Sequence, residues 1–282
     1  MPLISAVVHI GGKIMQHVLT LRKIVLIFGF ALVAFGCDMN TAQLPNANKE
    51  VLAAMYSYNA SGELSAESEY EYDSNGNRTK GSDYNENRKL SRYFETEYDS
   101  KGNPTKSSNY NENGELSHYY ECEYDSEGNE TKSSEYNANG ELSNYIESEY
   151  DSNGKQKKMS VYNANGELLD YWEDEYDFKG NKTKICIYNA SGELSGSEEF
   201  EYDSNGNRTK ANCYKNGELG GYDEYEYDSS GNWTKASFYN VNGELSGYWE
   251  FEYDSNGNRT KMSDYNANGE LEKYTIYLYK SI

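Results

Sequence analysis

Apolar and polar residues alternate with a period of two over residues 56–282, and glycine-containing turns interrupt them at regular intervals. A Tyr-Asp pair recurs every 26 residues, with one spacing of 25, at Tyr72, Tyr98, Tyr124, Tyr150, Tyr176, Tyr202, Tyr227 and Tyr253. A second motif, Tyr-Asn-x-Asn-Gly-Glu-Leu or a close variant, begins at Tyr58, Tyr84, Tyr110, Tyr136, Tyr162, Tyr188, Tyr214, Tyr239 and Tyr265. Each unit therefore predicts strand, turn, strand and turn, an all-β chain of tandem antiparallel β-hairpin repeats.

Both turns usually contain Asn-Gly, as at Asn75-Gly76, and this pair suits the positive φ angles of a two-residue type I′ loop. Such a loop places the glutamate before each Tyr-Asp opposite a lysine, as Glu71 opposite Lys80. The pattern predicts a single-layer meander of about seventeen strands. One face carries tyrosine, glutamate and lysine, and the other carries an aromatic and aliphatic ridge with leucines such as Leu64.

Two segments depart from the repeat. Residues 214–219 lack one residue that the other copies contain, which predicts a tight second turn there and a bulge in this turn elsewhere. In the last strand Ile276 and Leu278 replace two glutamates. This change predicts either a terminal cap or an exposed edge strand through which the protein self-associates.

The composition adds one constraint on the binding partner, which is the strongly negative net charge. Residues 1–36 hold Lys13, Arg22 and Lys23 and no acidic residue, so the remaining residues carry 23 basic and 47 acidic side chains, a formal charge of −24. That charge repels nucleic acid and anionic membrane surfaces, so no nucleic-acid partner is expected.

The N-terminal region predicts export. Arg22-Lys23 precedes an apolar run from Ile24 to Phe35, which is the length of a signal peptide and too short to cross a bilayer. Residues 1–36 are therefore expected to be a signal peptide, with Met15 as an alternative start. The end of the run, Val33-Ala34-Phe35-Gly36-Cys37, resembles a bacterial lipobox. The resemblance implies lipidation of Cys37, with residues 37–55 as a polar tether and membrane contact through the lipid alone.

Catalytic and metal chemistry have little support in the sequence. His118 is the only histidine after residue 36, and every candidate carboxylate recurs in equivalent settings, whereas a catalytic site is singular. Cys186 and Cys213 are two strands apart, beyond disulfide reach. Turn formation explains the Asp, Asn and Gly residues of loops such as 73–77 without calcium. We expect no enzyme activity, no metal and no cofactor.

The segment Tyr72-Asp73-Ser74-Asn75-Gly76-Asn77 resembles the YD motif of RHS/YD-repeat proteins, and eight copies occur in phase over residues 56–282. The resemblance implies hairpins that curl into a large shell, often around a toxin. The second half of each repeat resembles MORN-type repeats, which form open sheets. The residue after Gly-Asn is Arg78, Pro104 or Glu130 where the RHS family has an apolar residue. This difference favours an extended or partly coiled open sheet.

A tethered sheet with identical sites at fixed intervals favours binding by avidity. The expected function is non-enzymatic surface interaction, adhesion or scaffolding at a bacterial membrane, surface or periplasmic, with an unknown protein or glycan partner. Carbohydrate binding and an RHS-like role in toxin delivery or immunity are the alternatives. The candidate binding residues are aromatic: Tyr93, Tyr119, Tyr145, Tyr171, Tyr222, Tyr248 and Trp233. The tyrosines have a second interpretation, in which they pair across strands with Tyr110, Tyr136 and their equivalents and only stabilise the sheet.

Overall fold

A computed structural model describes residues 50–282; the predicted signal peptide, Cys37 and most of the predicted tether lie outside the described residues. The described part contains eighteen strands: β1 (Glu50–Asn59), β2 (Leu64–Tyr72), β3 (Arg78–Asn85), β4 (Leu90–Tyr98), β5 (Pro104–Asn111), β6 (Leu116–Tyr124), β7 (Glu130–Asn137), β8 (Leu142–Tyr150), β9 (Gln156–Asn163), β10 (Leu168–Tyr176), β11 (Lys182–Asn189), β12 (Leu194–Tyr202), β13 (Arg208–Lys215), β14 (Glu218–Tyr227), β15 (Trp233–Asn240), β16 (Leu245–Tyr253), β17 (Arg259–Asn266) and β18 (Leu271–Ser281). The all-β hairpin prediction is confirmed. The additional strand, β1, begins inside the stretch predicted as tether.

The sheet closes into a barrel. Each strand pairs antiparallel with the next in sequence, and β1 also pairs with β18. The prediction of an open meander is therefore wrong. The physical reason lies in the two terminal strands. The sequence of β1 resembles the second strand of a Tyr-Asp hairpin, and that of β18 resembles the first strand, so the two are complementary to each other. Pairing the two satisfies both edges of the sheet, so β18 offers no free edge for the predicted self-association.

The register of the hairpins combines two irregularities that cancel. In the Tyr-Asp turn only the glycine has positive φ, and the Asp73 N–H donates to the Asn77 carbonyl, which makes a three-residue loop rather than the predicted type I′ turn. A β-bulge lies next to this loop, at the register shift between Glu71 and Tyr72. Loop and bulge each shift the register by one residue in opposite senses, so Glu71 still faces Lys80 as predicted. The equivalent Glu–Lys pairing recurs in all eight Tyr-Asp hairpins.

The second turn also carries a bulge, as predicted from residues 214–219. It places Leu90 directly opposite Tyr84, so this leucine shares the face of the tyrosines, and the assignment of Leu64 and its equivalents to the other face is wrong. At the shortened copy both Asn216 and Gly217 have positive φ, as in a tight type I′ loop.

The invariant Tyr-Asp pair holds each hairpin together. The Asp73 carboxylate accepts the N–H groups of Asn75 and Asn77 at 2.9 and 2.8 Å and the Asn77 side chain at 2.9 Å. The tyrosine hydroxyl reaches across to the neighbouring hairpin, as when Tyr98 donates to the Arg78 carbonyl at 2.7 Å. These bonds explain why Asp, Asn and Tyr recur at their positions: each one satisfies backbone groups at a turn or a bulge.

The carboxylates that pair with lysines differ in exposure between the two faces of the wall. The tyrosine face carries Lys–Glu pairs, and the glutamates in them, such as Glu95, remain 50% exposed. On the opposite face Asp174 pairs with Lys182 and is only 7% exposed. Burial on that face also raises the pKa of Tyr120 and of the Cys122 thiol to about 12. We therefore assign the second face to the interior and call it the luminal face. A barrel of about eighteen strands encloses more space than its side chains fill.

Candidate functional site

The predicted tyrosines lie together in columns on the tyrosine face. Tyr93 stacks on Tyr110, with ring centroids 4.6 Å apart and planes 10° apart. The same stack forms at Tyr119–Tyr136, Tyr145–Tyr162, Tyr171–Tyr188, Tyr222–Tyr239, Tyr248–Tyr265 and, across the β18–β1 junction, Tyr274–Tyr58. These tyrosines therefore pair with each other across neighbouring strands, as the second interpretation of the sequence predicted.

A lysine covers the other side of each predicted tyrosine. Lys80 places its Nζ 4.6 Å from the centroid of the Tyr93 ring. Equivalent contacts of 4.0 to 4.4 Å join Lys106–Tyr119, Lys132–Tyr145, Lys158–Tyr171, Lys210–Tyr222 and Lys235–Tyr248. Each of these rings is therefore enclosed between an ammonium group and a second tyrosine. A sugar ring therefore has no free face of these six tyrosine rings to stack on.

The lysines lie between two glutamates, one on each neighbouring strand. Although Lys106 faces Glu97 in the hairpin, its ion pair is with Glu121 of the following strand, at 3.1 Å. The ion pair is likewise with the glutamate of the following strand for Lys80, Lys132, Lys184 and Lys210. Lys261 instead binds Glu252, its hairpin partner, at 3.2 Å, because its other neighbour is Ile276. The exposed groups of a column are thus tyrosine hydroxyls, glutamates and a shared lysine.

Trp233 does not belong to this set. It lies on the luminal face, where its ring stacks on Tyr225 with centroids 5.0 Å apart. Its direction is set by the bulge between Glu226 and Tyr227, which pairs Trp233 with Tyr227. A β-bulge re-aims a side chain without changing the strand. Trp233 therefore lies on the face of the wall opposite to the six candidate tyrosines.

The bulge gives every Tyr-Asp hairpin one luminal position that varies. It is the residue after Gly-Asn, and it is Arg78, Pro104, Glu130, Gln156, Lys182, Arg208, Trp233 and Arg259 in turn. Three of these are arginines whose guanidinium carbons lie 4.1 to 4.7 Å from the centroid of an aromatic ring, Tyr70, Phe200 or Phe251. Strict alternation from the lysine would have placed this position on the tyrosine face. Its variation among otherwise similar repeats was the signal available in the sequence.

Buried titratable groups also lie on the luminal face. Burial raises the pKa of Glu130, whose carboxylate lies 3.4 Å from the Tyr124 hydroxyl. Burial likewise raises the pKa of Glu198, an effect that Arg208 opposes. The Cys122 thiol lies 3.7 Å from the Ser133 hydroxyl. These groups occur once each, unlike those of the columns.

Neither a metal-binding group of side chains nor a membrane-spanning helix is found in residues 50–282. Among residues 50–282 no group of three or more His, Cys, Asp or Glu side chains is arranged to hold a metal ion. No helix in the same range has the length and apolarity needed to span a bilayer. Within residues 50–282 Cys122, Cys186 and Cys213 form no disulfide, as predicted for the last two. A depression of about 410 Å³ on the wall is lined by residues that include Glu201, Lys210, Glu224 and Glu226.

No protein-family model and no curated protein matches the sequence. Among solved structures, a porin-like protein from Bacteroides uniformis shows a TM-score of 0.44 at 9% identity, covering 81% of this chain and 98% of that one. A porin-like protein from Bacteroides vulgatus shows 0.35 at 9% identity, covering 82% and 99%. The TcdB2-TccC3 structure without its hypervariable C-terminal region shows 0.29 at 14% identity and covers 77% of this chain. This chain spans about 15% of that TcdB2-TccC3 chain. These similarities are too low to assign a function.

Proposed function

We propose that the protein is a non-enzymatic surface-interaction protein that binds a hydroxyl-rich polymer, a glycan, through repeated weak contacts on its tyrosine face. The observation that carries the proposal is the repetition of one exposed set of groups, a tyrosine hydroxyl, a glutamate and a lysine, on successive hairpins. Two strand spacings separate the columns by roughly 10 Å. Sites at fixed intervals act together on a polymer that repeats, so the affinity of the whole exceeds that of one site.

The chemistry of the columns favours hydrogen bonding over ring stacking. Lys80 and Tyr110 occupy the two sides of the Tyr93 ring, so its hydroxyl and edge remain for a partner. Hydroxyls and carboxylates accept the hydrogen bonds of sugar hydroxyls, and the ammonium groups donate. The charge of −24 outside residues 1–36 opposes a polyanionic partner. A neutral glycan is therefore the partner class proposed. Export and lipidation of Cys37 remain part of this proposal, since they would place the columns at a cell surface.

A glycan array probed with the full-length protein tests the proposal. Lys→Gln substitutions at one, two and three columns, Lys106, Lys158 and Lys235, should weaken binding more than proportionally with each step, because avidity multiplies the contributions of single sites. The control replaces three exposed lysines in or next to turns, Lys89, Lys179 and Lys215, which changes the charge equally and leaves the columns intact. Equal binding by the two triple variants, or no glycan bound by the wild type, would contradict the proposal.

Closure of the barrel favours a second candidate, a container that holds a ligand in its lumen. The supporting observation is the luminal position that changes from repeat to repeat while the outer columns repeat. The same glycan array distinguishes the candidates, because substitutions of Lys106, Lys158 and Lys235 leave the lumen unchanged.

A further inference from the structure

Two columns on the tyrosine face lack the tyrosine of their first strand. In six of the eight Tyr-Asp hairpins the first strand supplies a tyrosine that stacks on a tyrosine of the second strand. In the β12–β13 hairpin the residue at this position is Ser197, directly opposite Tyr214. In the β2–β3 hairpin it is Glu67, directly opposite Tyr84. These two columns depart from the common arrangement in different ways.

The β2–β3 column contains its own substitute for the missing ring. Glu67 is only 8% exposed, and its carboxylate lies 3.5 Å from the Nε atom of Arg88. Arg88 stands in the second turn, at the position where the other copies have a glycine. A buried carboxylate and a turn arginine, both from the chain itself, thus occupy this column.

The β12–β13 column contains no such substitute, and its end at the second turn is open. In the stacked columns the hydroxyl of the first tyrosine reaches the glycine of that turn. The Tyr93 hydroxyl, for example, lies 3.7 Å from the point where a Cβ would stand on Gly114. At Gly217, the equivalent glycine, no atom of residues 50–282 other than its chain neighbours lies within 4 Å of that point. The place of one tyrosine ring and its hydroxyl is therefore vacant above Ser197.

The lysine that covers a ring in the other columns is present here. Lys184 forms an ion pair with Glu199 at 2.9 Å, equivalent to the pair of Lys106 with Glu121 at 3.1 Å. In that equivalent pair, Lys106 lies 4.1 Å from the centroid of the Tyr119 ring. Within residues 50–282 no aromatic ring lies against Lys184. The ammonium group therefore keeps its ion pair while the ring that it covers elsewhere is absent.

Tyr214 provides the other side of the vacancy. Its ring stacks on no other ring in the described part of the chain, whereas the equivalent Tyr110 stacks on Tyr93. Desolvation and the neighbouring Glu199 carboxylate raise the pKa of the Tyr214 hydroxyl, and Lys184 opposes this effect. Lys184, Glu199 and Tyr214 therefore border one space, and the face of the Tyr214 ring is available for stacking.

We propose that this vacancy, bounded by Lys184, Ser197, Tyr214 and Gly217, binds the phenol ring of another molecule. We call it the open column. An ammonium group on one side and an aromatic face on the other stabilise a ring between them, as they do for the six tyrosines of the stacked columns. Ser197 is only 7% exposed and forms the floor. The bound ring is expected to lie as those tyrosines do, with its hydroxyl toward Gly217.

The charge around the open column selects an uncharged phenol. Glu199 and Glu201 both lie near Tyr214, and Lys184 is already paired with Glu199. A carboxylate on the ligand would therefore gain little from the lysine and would be repelled by the glutamates. The open column contains none of the lysines through which glycan binding is tested, so this site does not depend on the proposed glycan binding.

Titration of p-cresol with the full-length protein, followed by NMR line broadening of the ligand, tests this site. We expect saturable binding in roughly the millimolar range, which is what a single small ring allows. Ser197→Tyr supplies the ring from the chain itself and should abolish the binding. Lys184→Gln should weaken it about two- to fivefold, the contribution of an exposed cation–π contact. Lys158→Gln is the matched control, because Tyr171 fills its column, and its affinity should match the wild type.

Two further ligands define the source and the charge of the ring. N-acetyltyrosine amide carries the phenol on a peptide unit. Its binding would indicate the tyrosine of a partner protein as a source, binding of p-cresol alone would indicate a free phenol, and either result supports the site. The anion p-hydroxybenzoate should bind more weakly than p-cresol because of the nearby glutamates. Tighter binding of this anion would overturn the selection for an uncharged ring.

A vacancy made in a stacked column should behave in the same way. Tyr171→Ser removes the ring between Lys158 and Tyr188, and we expect this variant to bind a second equivalent of p-cresol. Should Ser197→Tyr fail to fold, Tyr214→Leu removes the stacking face, and an affinity loss of about two- to tenfold is then expected.

Three results would overturn the proposal: no saturable binding of p-cresol, binding by Ser197→Tyr equal to the wild type, or binding of methyl β-glucoside equal to that of p-cresol. Ser197→Tyr should not weaken binding on the glycan array, because it completes a column. A failure of phenol binding is therefore distinguishable from a failure of glycan binding.

Discussion

The β18–β1 junction and an internal hairpin such as β4–β5 share one register but are stabilised differently. Tyr274 faces Tyr58 just as Tyr93 faces Tyr110, and both pairs stack. The hairpin has a turn and a facing Glu–Lys pair. The junction has no turn, and it places Leu278 opposite Ala54 where the hairpin has Glu97 opposite Lys106. It is also longer, since its ladder runs from Glu50–Ser281 to Asn59–Lys273.

The difference shows what a turn contributes. A hairpin closes a loop of a few residues, so weak ion pairs at its exposed surface are sufficient. The junction joins strands more than two hundred residues apart, and the greater loss of chain entropy must be offset by other contacts. Apolar side chains replace the charges here, and Val51 and Ala54 are each only 7% exposed. Ile276 and Leu278, which the sequence presents as a cap or a free edge, are the residues of this closure.

The largest effect is expected from a covalent link across the junction. Ser57 and Thr275 are directly opposite, with their hydroxyls 3.1 Å apart, so Ser57→Cys/Thr275→Cys should form a disulfide. Because it closes a very long loop, we expect it to raise the free energy of unfolding by about 5 kcal/mol in the chain-entropy description. Ser133→Cys, opposite the native Cys122 in the β6–β7 hairpin, should contribute about 3 kcal/mol. Urea unfolding with and without reductant measures both, and equal gains would contradict the role of loop length.

A smaller effect is expected when the junction is given the residues of a hairpin. Ile276→Glu/Leu278→Glu removes half-buried apolar contacts opposite Tyr56 and Ala54 on β1, which has no lysine at these positions, while Lys261 on β17 faces position 276 alone. We expect a loss of about 1–2 kcal/mol in urea unfolding. The reverse exchange at the equivalent hairpin positions, Glu250→Ile/Glu252→Leu, should change the stability by less than about 0.5 kcal/mol. A larger loss in the hairpin exchange would show that ion pairs, and not apolar contacts, dominate the wall.

In the β12–β13 hairpin the contribution of tyrosine stacking to stability can be measured by adding the tyrosine that this hairpin lacks. Here Ser197 faces Tyr214 where six other hairpins stack two tyrosines. Ser197→Tyr should complete the column beside Lys184 and stabilise the protein by about 0.5–1.5 kcal/mol. Tyr171→Ser, which opens the neighbouring column, should cost a similar amount or more. Destabilisation by Ser197→Tyr would indicate that this strand has no room for the ring.

The smallest effect concerns one turn carboxylate, a group that the junction lacks. The N–H of Asn103 and the other donors of the turn hold the pKa of Asp99 below its usual value. The folded pKa is lower than the unfolded one, so its stabilisation is complete above the unfolded value and is lost as the pH falls through the folded value. Asp99→Asn should therefore flatten the loss of stability between neutral and acidic pH. Glu112→Gln in an exposed turn changes the charge equally, and a matching effect there would contradict the turn's role.

Local features of this fold follow from the sequence, and long-range ones do not. The repeat of Tyr72-Asp73 and the facing of Glu71 and Lys80 depend on residues close in the chain, so period and register were predictable. The loop type was wrong and the register right, because a bulge compensates for the additional loop residue. Closure depends on a pairing between β1 and β18, whose complementarity only becomes clear when β1 is recognised as half of a hairpin. The direction of Arg78 and Trp233 was missed because alternation does not reveal a bulge.

Closure also constrains how such an array can change in length. A linear solenoid grows by adding units at its end, and each new unit meets only one neighbour. The sheet formed by residues 50–282 has no free edge, so a duplicated 26-residue unit would insert two strands and enlarge the circumference. The tilt and stagger of all strands would have to adjust together, because they are coupled to strand number in a barrel. The number of repeats is therefore a property of the whole ring, and a duplication must be accepted by every hairpin at once.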